Sequence, residues 1–352
     1  MSGAQIDAPA RFASLLVAWQ STHGRHDLPW QNTRDAYRIW LSEIMLQQTQ
    51  VGTVIPYYLR FLDHYPRVAD LAAASLDRVL ELWAGLGYYA RARNLHRCAQ
   101  TLVAEHGGQF PEQPVALAAL PGIGRSTAAA IAAFAFGARA AILDGNVKRV
   151  LARCFGVSGN PATAQAEQAM WRLAESLLPE QGIEAYTQGI MDLGATLCTR
   201  ARPQCESCPM SPLCVARRDG RQAELPEKRA KQVLPERESS LLLFTDGQRV
   251  LLERRPPTGI WGGLLSLPEG GEAAIDSCLR RFGGRLIGTS ELPPIKHSFT
   301  HFRLTLRPVR CAVEVTAHIV AEPGWQWLKF EDLGSAALPA PVARLLAAMT
   351  NK

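Results

Sequence analysis

The chain has 352 residues, 47% hydrophobic and 20% charged, with a formal net charge of +6. At roughly 150 residues per domain this length predicts two domains, and the apolar share supplies real cores. No stretch approaches the ~20 apolar residues of a membrane helix, and residues 1–20 lack the basic flank and apolar core of an export signal. Membrane, secreted, disordered and collagen-like classes are therefore set aside.

Charge is spread thinly. Residues 1–225 carry 21 basic and 19 acidic groups, and residues 226–352 carry 17 and 13. Neither part is a polycation, so any contact with nucleic acid must use local clusters. Lys148 is the only Lys in residues 1–225.

Residues 11–215 read as helix after helix, an all-α region. WLSEIMLQQTQV (40–51) holds one acid, Glu43, in an otherwise apolar or neutral segment. A partly desolvated Glu has a raised pKa and suits general-acid work near neutral pH; a wet stripe on the helix is the plainer alternative. DLAAASLDRVLELWAGLG (70–87) has helical apolar spacing that Gly85 and Gly87 end. Arg91, Arg93 and Arg97 follow as candidate phosphate contacts, or as an ordinary charged face.

LPGIGRSTAAAIAAFAFG (120–137) places an apolar–Gly–apolar–Gly turn before a helix. Gly122 and Gly124 let backbone N–H groups approach a phosphate at the positive end of that helix. The pattern resembles a helix–hairpin–helix, though a plain turn has the same look. In AAILDGNVKRVLAR (140–153), Asp144 ends an apolar run before a Gly-Asn turn, where a helix N-cap belongs. AEQAMWRLAESLLP (166–179) is a further helix, stopped by Pro179.

Cys198, Cys205, Cys208 and Cys214 lie within 17 residues, separated by six, two and five residues. Without an export signal, a metal site is favoured over disulfides. Spacing alone leaves tetrahedral zinc and a 4Fe–4S cluster both open. Arg200, Arg202, Arg217 and Arg218 flank the thiols as candidate phosphate contacts or a solvated surface. Cys98, Cys154, Cys278 and Cys311 read as buried free thiols.

Residues 216–238 carry 12 charged residues and two Pro, the composition of a solvated linker. Beyond it, 239–246, 249–255, 301–309 and 325–330 alternate like strands, and 274–283 reads as one helix. The second domain is therefore α+β.

LSEIMLQQTQV, GLGYYARARNL, LPGIGRSTAAAI, ILDGNVKRVLAR and the cysteine loop together resemble the adenine DNA glycosylase (MutY) family of the endonuclease III superfamily, over residues 30 to 215. GIWGGLLSLPEGGE (259–272) resembles that family's Nudix-like recognition module. The implied architecture is a helix–hairpin–helix glycosylase domain over 1–225, with a six-helix barrel part about 30–136 and an iron–sulfur part about 1–29 and 137–225. A linker over 226–237 and a Nudix-like domain over 238–352 complete it.

The resemblance implies excision of adenine paired with 8-oxoguanine, and more weakly with guanine, in double-stranded DNA. Glu43 would protonate adenine N7. Asp144 would stay ionised and stabilise the oxocarbenium-like sugar, or carry it as a transient covalent adduct. Asn146 would orient water or the sugar. Leu28, Trp30 and Gln188 would wall the pocket of the extruded base. Gln47, Gln48 and Thr49 would wedge the duplex, and Tyr88 would insert beside the partner base. Phe299, Thr300 and His301, where the family has Phe-Ser-His, would read 8-oxoguanine. The four cysteines would hold one 4Fe–4S cluster.

Bifunctional relatives carry a nucleophilic Lys where this chain has Ser126, so a monofunctional enzyme with at most weak lyase activity is expected, Lys148 being an incidental trap. The helix at 274–283 has one Asp and two Arg, too few carboxylates for a Nudix Mg²⁺ site, so no pyrophosphatase activity is expected. The implied protein is a monomer beside the bacterial chromosome in the cytoplasm, with no membrane partner. A bifunctional endonuclease III-like enzyme and a silent cluster-bearing DNA-binding protein are the competing readings.

Overall fold

The computed structural model describes residues 8–159, 163–227, 233–299, 301–315 and 324–350. The chain forms two compact units, Met1–Ala73 with Asn94–Lys231 and Ala74–Arg93 with Gln232–Lys352. The helices of residues 8–218 are α1 (Ala8–His23), α2 (Ala36–Leu46), α3 (Val51–His64), α4 (Val68–Ala73), α5 (Leu76–Trp83), α6 (Ala90–His106), α7 (Pro114–Ala118), α8 (Arg125–Phe136), α9 (Gly145–Phe155), α10 (Ala164–Ser176), α11 (Ile183–Asp192) and α12 (Val215–Arg218). Among the described residues of this stretch there is no strand.

Local chemistry sets these boundaries. The Asp35 side chain accepts hydrogen bonds from the Tyr37 and Arg38 N–H groups and starts α2. Seven of the eleven residues of α2 are buried, including Trp40, Leu41 and Met45. Gly137, at φ 69°, closes α8 in the left-handed conformation. Ala128, Ala129, Ala130, Ala132 and Ala133 are all buried, and these small side chains let α8 pack closely on α2 and α7. Phe12 and Leu16 from α1 share a core with Val147 and Leu151 from α9 and with Ile190 from α11.

One expectation fails here. The segment 70–87 is two helices, because Ser75 adopts an extended conformation and its side chain accepts from Arg78 N–H, capping α5. A short polar side chain that can bond its own backbone outweighs unbroken apolar spacing.

In the second unit β1 (Glu236–Thr245), β2 (Arg249–Arg254), β3 (Leu265–Ser266), β4 (Gly284–Glu291), β5 (Ile295–Ser298), β6 (Arg303–Val315) and β7 (Trp325–Lys329) form one mixed sheet, with the path β3-β2-β1-β6-β4. The β1–β6 pair is parallel, with Leu241 opposite Pro308, and every other pair is antiparallel. Helix α13 (Glu272–Phe282) joins Phe244 and Leu251 in one core, while α14 (Ala340–Thr350) joins Leu241, Leu243 and Leu304 in the other. Alternating burial along β6 feeds both faces. The charged stretch 216–238 opens inside α12 and ends inside β1. No helix among the described residues is long and apolar enough to cross a membrane.

Candidate functional site

Glu43 sits on α2 in the common wall of two cavities of the first unit. The first, about 590 Å³, is also lined by Arg25, Leu28, Trp30 and Gln188. The second, about 940 Å³, is lined by Gln47, Gln48, Thr49, Ser126, Asp144 and Asn146. Most residues expected at the site in this unit are thus brought together from segments spread over 160 positions.

Glu43 keeps part of its side chain open to the cavity, yet dense protein surrounds its carboxyl. That desolvation, with a smaller push from the negative charge of Asp144, raises its pKa to about 8. Asp144 caps α9, its Oδ1 accepting from Val147 N–H at 2.7 Å. Its pKa is also raised, by desolvation above all, against the pull of the Val147 and Asn146 N–H groups and the Arg149 and Lys148 cations. The Asp144 side chain is exposed by area, so water reaches it and offsets much of that desolvation.

The loop holding Leu28 and Trp30 is built around Gln31. Its Oε1 accepts from Leu28 N–H at 3.1 Å and its Nε2 donates to the Arg25 carbonyl at 2.9 Å. Trp30 is nearly buried, with its ring edge-on to Tyr58 at 5.3 Å. Gln48 stands at φ 57°, a left-handed backbone unusual for a residue with a side chain. Gln47 donates to the Thr127 hydroxyl at 3.3 Å. The Ser126 hydroxyl accepts from Leu143 N–H at 2.9 Å and so steadies the strand of chain leading to Asp144.

Helix α11 runs into a π-helical turn, Leu193–Leu197, the kind of widened turn that collects at functional sites. It brings Gly194 so close to Asn146 that a Cβ there would fall 2.7 Å from the Asn146 Cβ. Arg149 ties these parts together. It donates to the Asn146 side-chain oxygen at 2.7 Å, to the Gly194 carbonyl at 2.7 Å and to the Cys198 carbonyl at 2.8 Å.

Cys198, Cys205, Cys208 and Cys214 line one small cavity, and none is in a disulfide. Buried Arg153 organises their loop, donating to Cys198 Sγ at 3.3 Å and to the carbonyls of Thr199, Arg200 and Leu225. Cys154 lines the same cavity as a fifth thiol. Among the described residues no three His, Cys, Asp or Glu side chains are drawn together as a metal site, and the four thiols share their small cavity with the Arg153 guanidinium.

Other expected residues lie elsewhere. Gly122, at φ 77°, forms the hairpin turn against Asn94, where a Cβ would fall 2.6 Å from the Asn94 Cβ. Gly124 is the N-cap of α8. Lys148 is not in the cavity wall and its Nζ is paired with Glu167 at 2.7 Å. Tyr88, half exposed and at φ 48°, belongs to the second unit. So do Phe299 and His301, whose rings join Trp261, His297 and Phe302 in one aromatic cluster. Thr300 lies outside the described residues.

One phosphate-contact expectation is corrected. Arg91 is buried against Trp83 and the Leu86 carbonyl and presents no open surface charge. Arg93 is half-buried and donates to the Gly262 carbonyl at 2.6 Å. Arg217 turns to the Cys205 carbonyl and Glu206. Arg200 is in the wall of the second cavity.

The sequence reading missed Arg25, Asp192, Arg149, Arg153 and Cys154. Two carried a local signal, since Asp192 is four residues after Gln188 and Arg149 three after Asn146, spacings at which helical side chains meet. The Arg25–Asp192 pair spans 167 positions and had none.

Comparison with known proteins follows the same division. Residues 41–176 match the model of the HhH-GPD superfamily of base excision DNA repair proteins, and residues 240–348 match a NUDIX domain. The chain is 35% identical to an adenine DNA glycosylase of Buchnera aphidicola subsp. Acyrthosiphon pisum, covering 95% of this chain and 96% of the relative. It is 34% identical to the adenine DNA glycosylase of Homo sapiens, covering 95% of this chain and 73% of that one. A thermostable thymine-DNA glycosylase structure superposes with a TM-score of 0.55 at 33% identity, over 60% of this chain and 97% of its own.

Proposed function

Because the chain belongs to the adenine DNA glycosylase family of base-excision repair proteins, we propose that it removes adenine paired with 8-oxoguanine, or with guanine, from double-stranded DNA. One observation carries the reading. Glu43, protonated up to about pH 8, stands between two cavities, with Asp144 in the wall of only the second.

The extruded base enters the cavity of Leu28, Trp30 and Gln188, and its sugar stays in that of Asp144 and Asn146. Glu43 donates its proton to adenine N7. The N-glycosidic bond breaks with its electron pair passing to the purine, which leaves neutral. Asp144 stays ionised beside the cationic sugar until water adds at C1′ and returns a proton to the Glu43 carboxylate. This is the division of labour of paired carboxylates in glycoside hydrolysis, and the general acid alone is worth ~10²–10⁴ in rate. Asn146, held by Arg149, orients the sugar or the water.

Ser126 supplies no amine for a Schiff base, and Lys148 is engaged with Glu167, so strand nicking is at most weak. The four cysteines fit a 4Fe–4S cluster, which when bound cross-links the loop and makes it rigid. Gln47, Gln48, Thr49 and Tyr88 meet the opened duplex, and the hairpin of Gly122 and Gly124 grips its backbone. Phe299, Thr300 and His301 read 8-oxoguanine. We assign catalysis to residues 1–225 and recognition to 238–352, although Ala74–Arg93 group with the second compact unit.

The test is a duplex with adenine opposite 8-oxoguanine, incubated with the protein and then treated with alkali. Alkali-dependent breakage is expected. Direct nicking of duplexes with oxidised pyrimidines would favour a bifunctional enzyme, and binding without breakage a silent DNA-binding protein.

A further inference from the structure

Asp192, the last residue of α11, is fully buried. The hydrogen bonds to its carboxylate come from Arg25 N–H at 2.9 Å, Arg25 Nε at 2.7 Å and Gln188 Nε2 at 2.8 Å. A carboxylate paired with a guanidinium only accepts, so the Gln188 amide meets it in one sense, NH₂ group first. Oε1 is then the atom left to a ligand in the cavity that Gln188 lines.

We propose that Asp192, acting through Gln188, makes this wall of the cavity a hydrogen-bond acceptor and thereby selects a 6-amino purine over a 6-oxo purine. The inference rests on the reading that this cavity takes the extruded base. Adenine offers N6–H donors to Oε1. Hypoxanthine and guanine offer O6, and two acceptors then face each other in a partly dehydrated site. An unsubstituted purine neither gains nor repels. Rejection of the wrong base is therefore built from a fixed amide dipole, with Arg25 holding the anchor in place. Asp192 is a positioning residue, for it acts on the base only through Gln188.

The experiment uses the full chain and single-turnover release from duplexes with adenine, hypoxanthine or unsubstituted purine opposite 8-oxoguanine. The unsubstituted chain is expected to release adenine fastest. Asp192→Asn supplies an amide that lets Gln188 turn over. The adenine-to-hypoxanthine rate ratio is expected to fall by roughly tenfold or more. A variant that slows all three substrates alike overturns the proposal and leaves Asp192 a merely structural residue. Should Asp192→Asn fail to fold, Gln188→Ala keeps the Arg25–Asp192 pair and must collapse the same ratio. An intact ratio in Gln188→Ala refutes the proposal. No adenine release by the unsubstituted chain overturns the underlying reading itself, an outcome distinct from either variant's ratio.

Discussion

Arg149 holds the side-chain oxygen of Asn146 at 2.7 Å, and its Nε holds the carbonyl of Cys198 at 2.8 Å. One guanidinium thus connects the cavity of Asp144 to the first cysteine of the loop. Charge-assisted hydrogen bonds of this kind are worth about 1.5–3 kcal/mol each. Arg149→Ala is expected to slow base release by roughly 10- to 100-fold in single-turnover assays. Wild-type rates in that variant would show that Asn146 needs no such support.

The raised pKa of Glu43 sets an alkaline limit. An acid must hold its proton, so activity is expected to decline as pH rises through about 8. Stability carries the same sign. Between the ordinary value of 4.5 and about 8 the folded chain keeps a proton that the unfolded chain releases, so this group erodes stability as pH climbs through that window. Glu43→Gln should abolish base release yet melt higher than the parent at pH 8.5, by an amount equivalent to about 1–2 kcal/mol given partial solvent access. A lower melting point in the variant would contradict the desolvation argument.

Asp144 has separable duties. Asn caps helices as well as Asp, so Asp144→Asn is expected to leave the unfolding free energy within about 0.5 kcal/mol of the parent. Base release should nevertheless fall by roughly 10³-fold, as removal of a fixed transition-state charge does. Unfolding of Asp144→Asn, seen by circular dichroism, would show that the cap itself needs a charge.

Arg153 is buried and spends its donors on Cys198 Sγ and on the carbonyls of Cys198, Thr199, Arg200 and Leu225. Arg153→Met leaves those acceptors without their donor, at a cost of several kcal/mol. Purified Arg153→Met is expected to carry little iron and little visible absorption. Full iron content would mean that the thiols organise themselves.

Lys148 is restrained by Glu167 at 2.7 Å. Glu167→Gln loosens that partner and is expected to raise borohydride trapping to DNA several-fold, while Lys148→Ala removes the trapping and spares base release. Trapping that persists in Lys148→Ala would place the cross-link on another amine.

How legible was this in the sequence? Glu43 could be found because a lone acid in an apolar helix has few ways to stay solvated, and α2 is buried nearly all round. Asp144 could be found because capping and catalysis both ask for a carboxylate at a turn. The strands β4 and β5 were missed. Most of their residues are exposed, so no apolar alternation marks them, and pairing with β6 alone makes them strands. The split between α4 and α5 turned on one serine hydroxyl, invisible to periodicity. Distant pairs such as Arg25 and Asp192 exist only once the chain has folded.

The left-handed backbone of Gln48 has a practical corollary. Glycine at that position would relax the local geometry and harden the molecule by up to about 1 kcal/mol. Selection for heat resistance alone would therefore favour discarding this side chain, so a thermotolerant variant isolated without an activity screen should be examined first at codon 48.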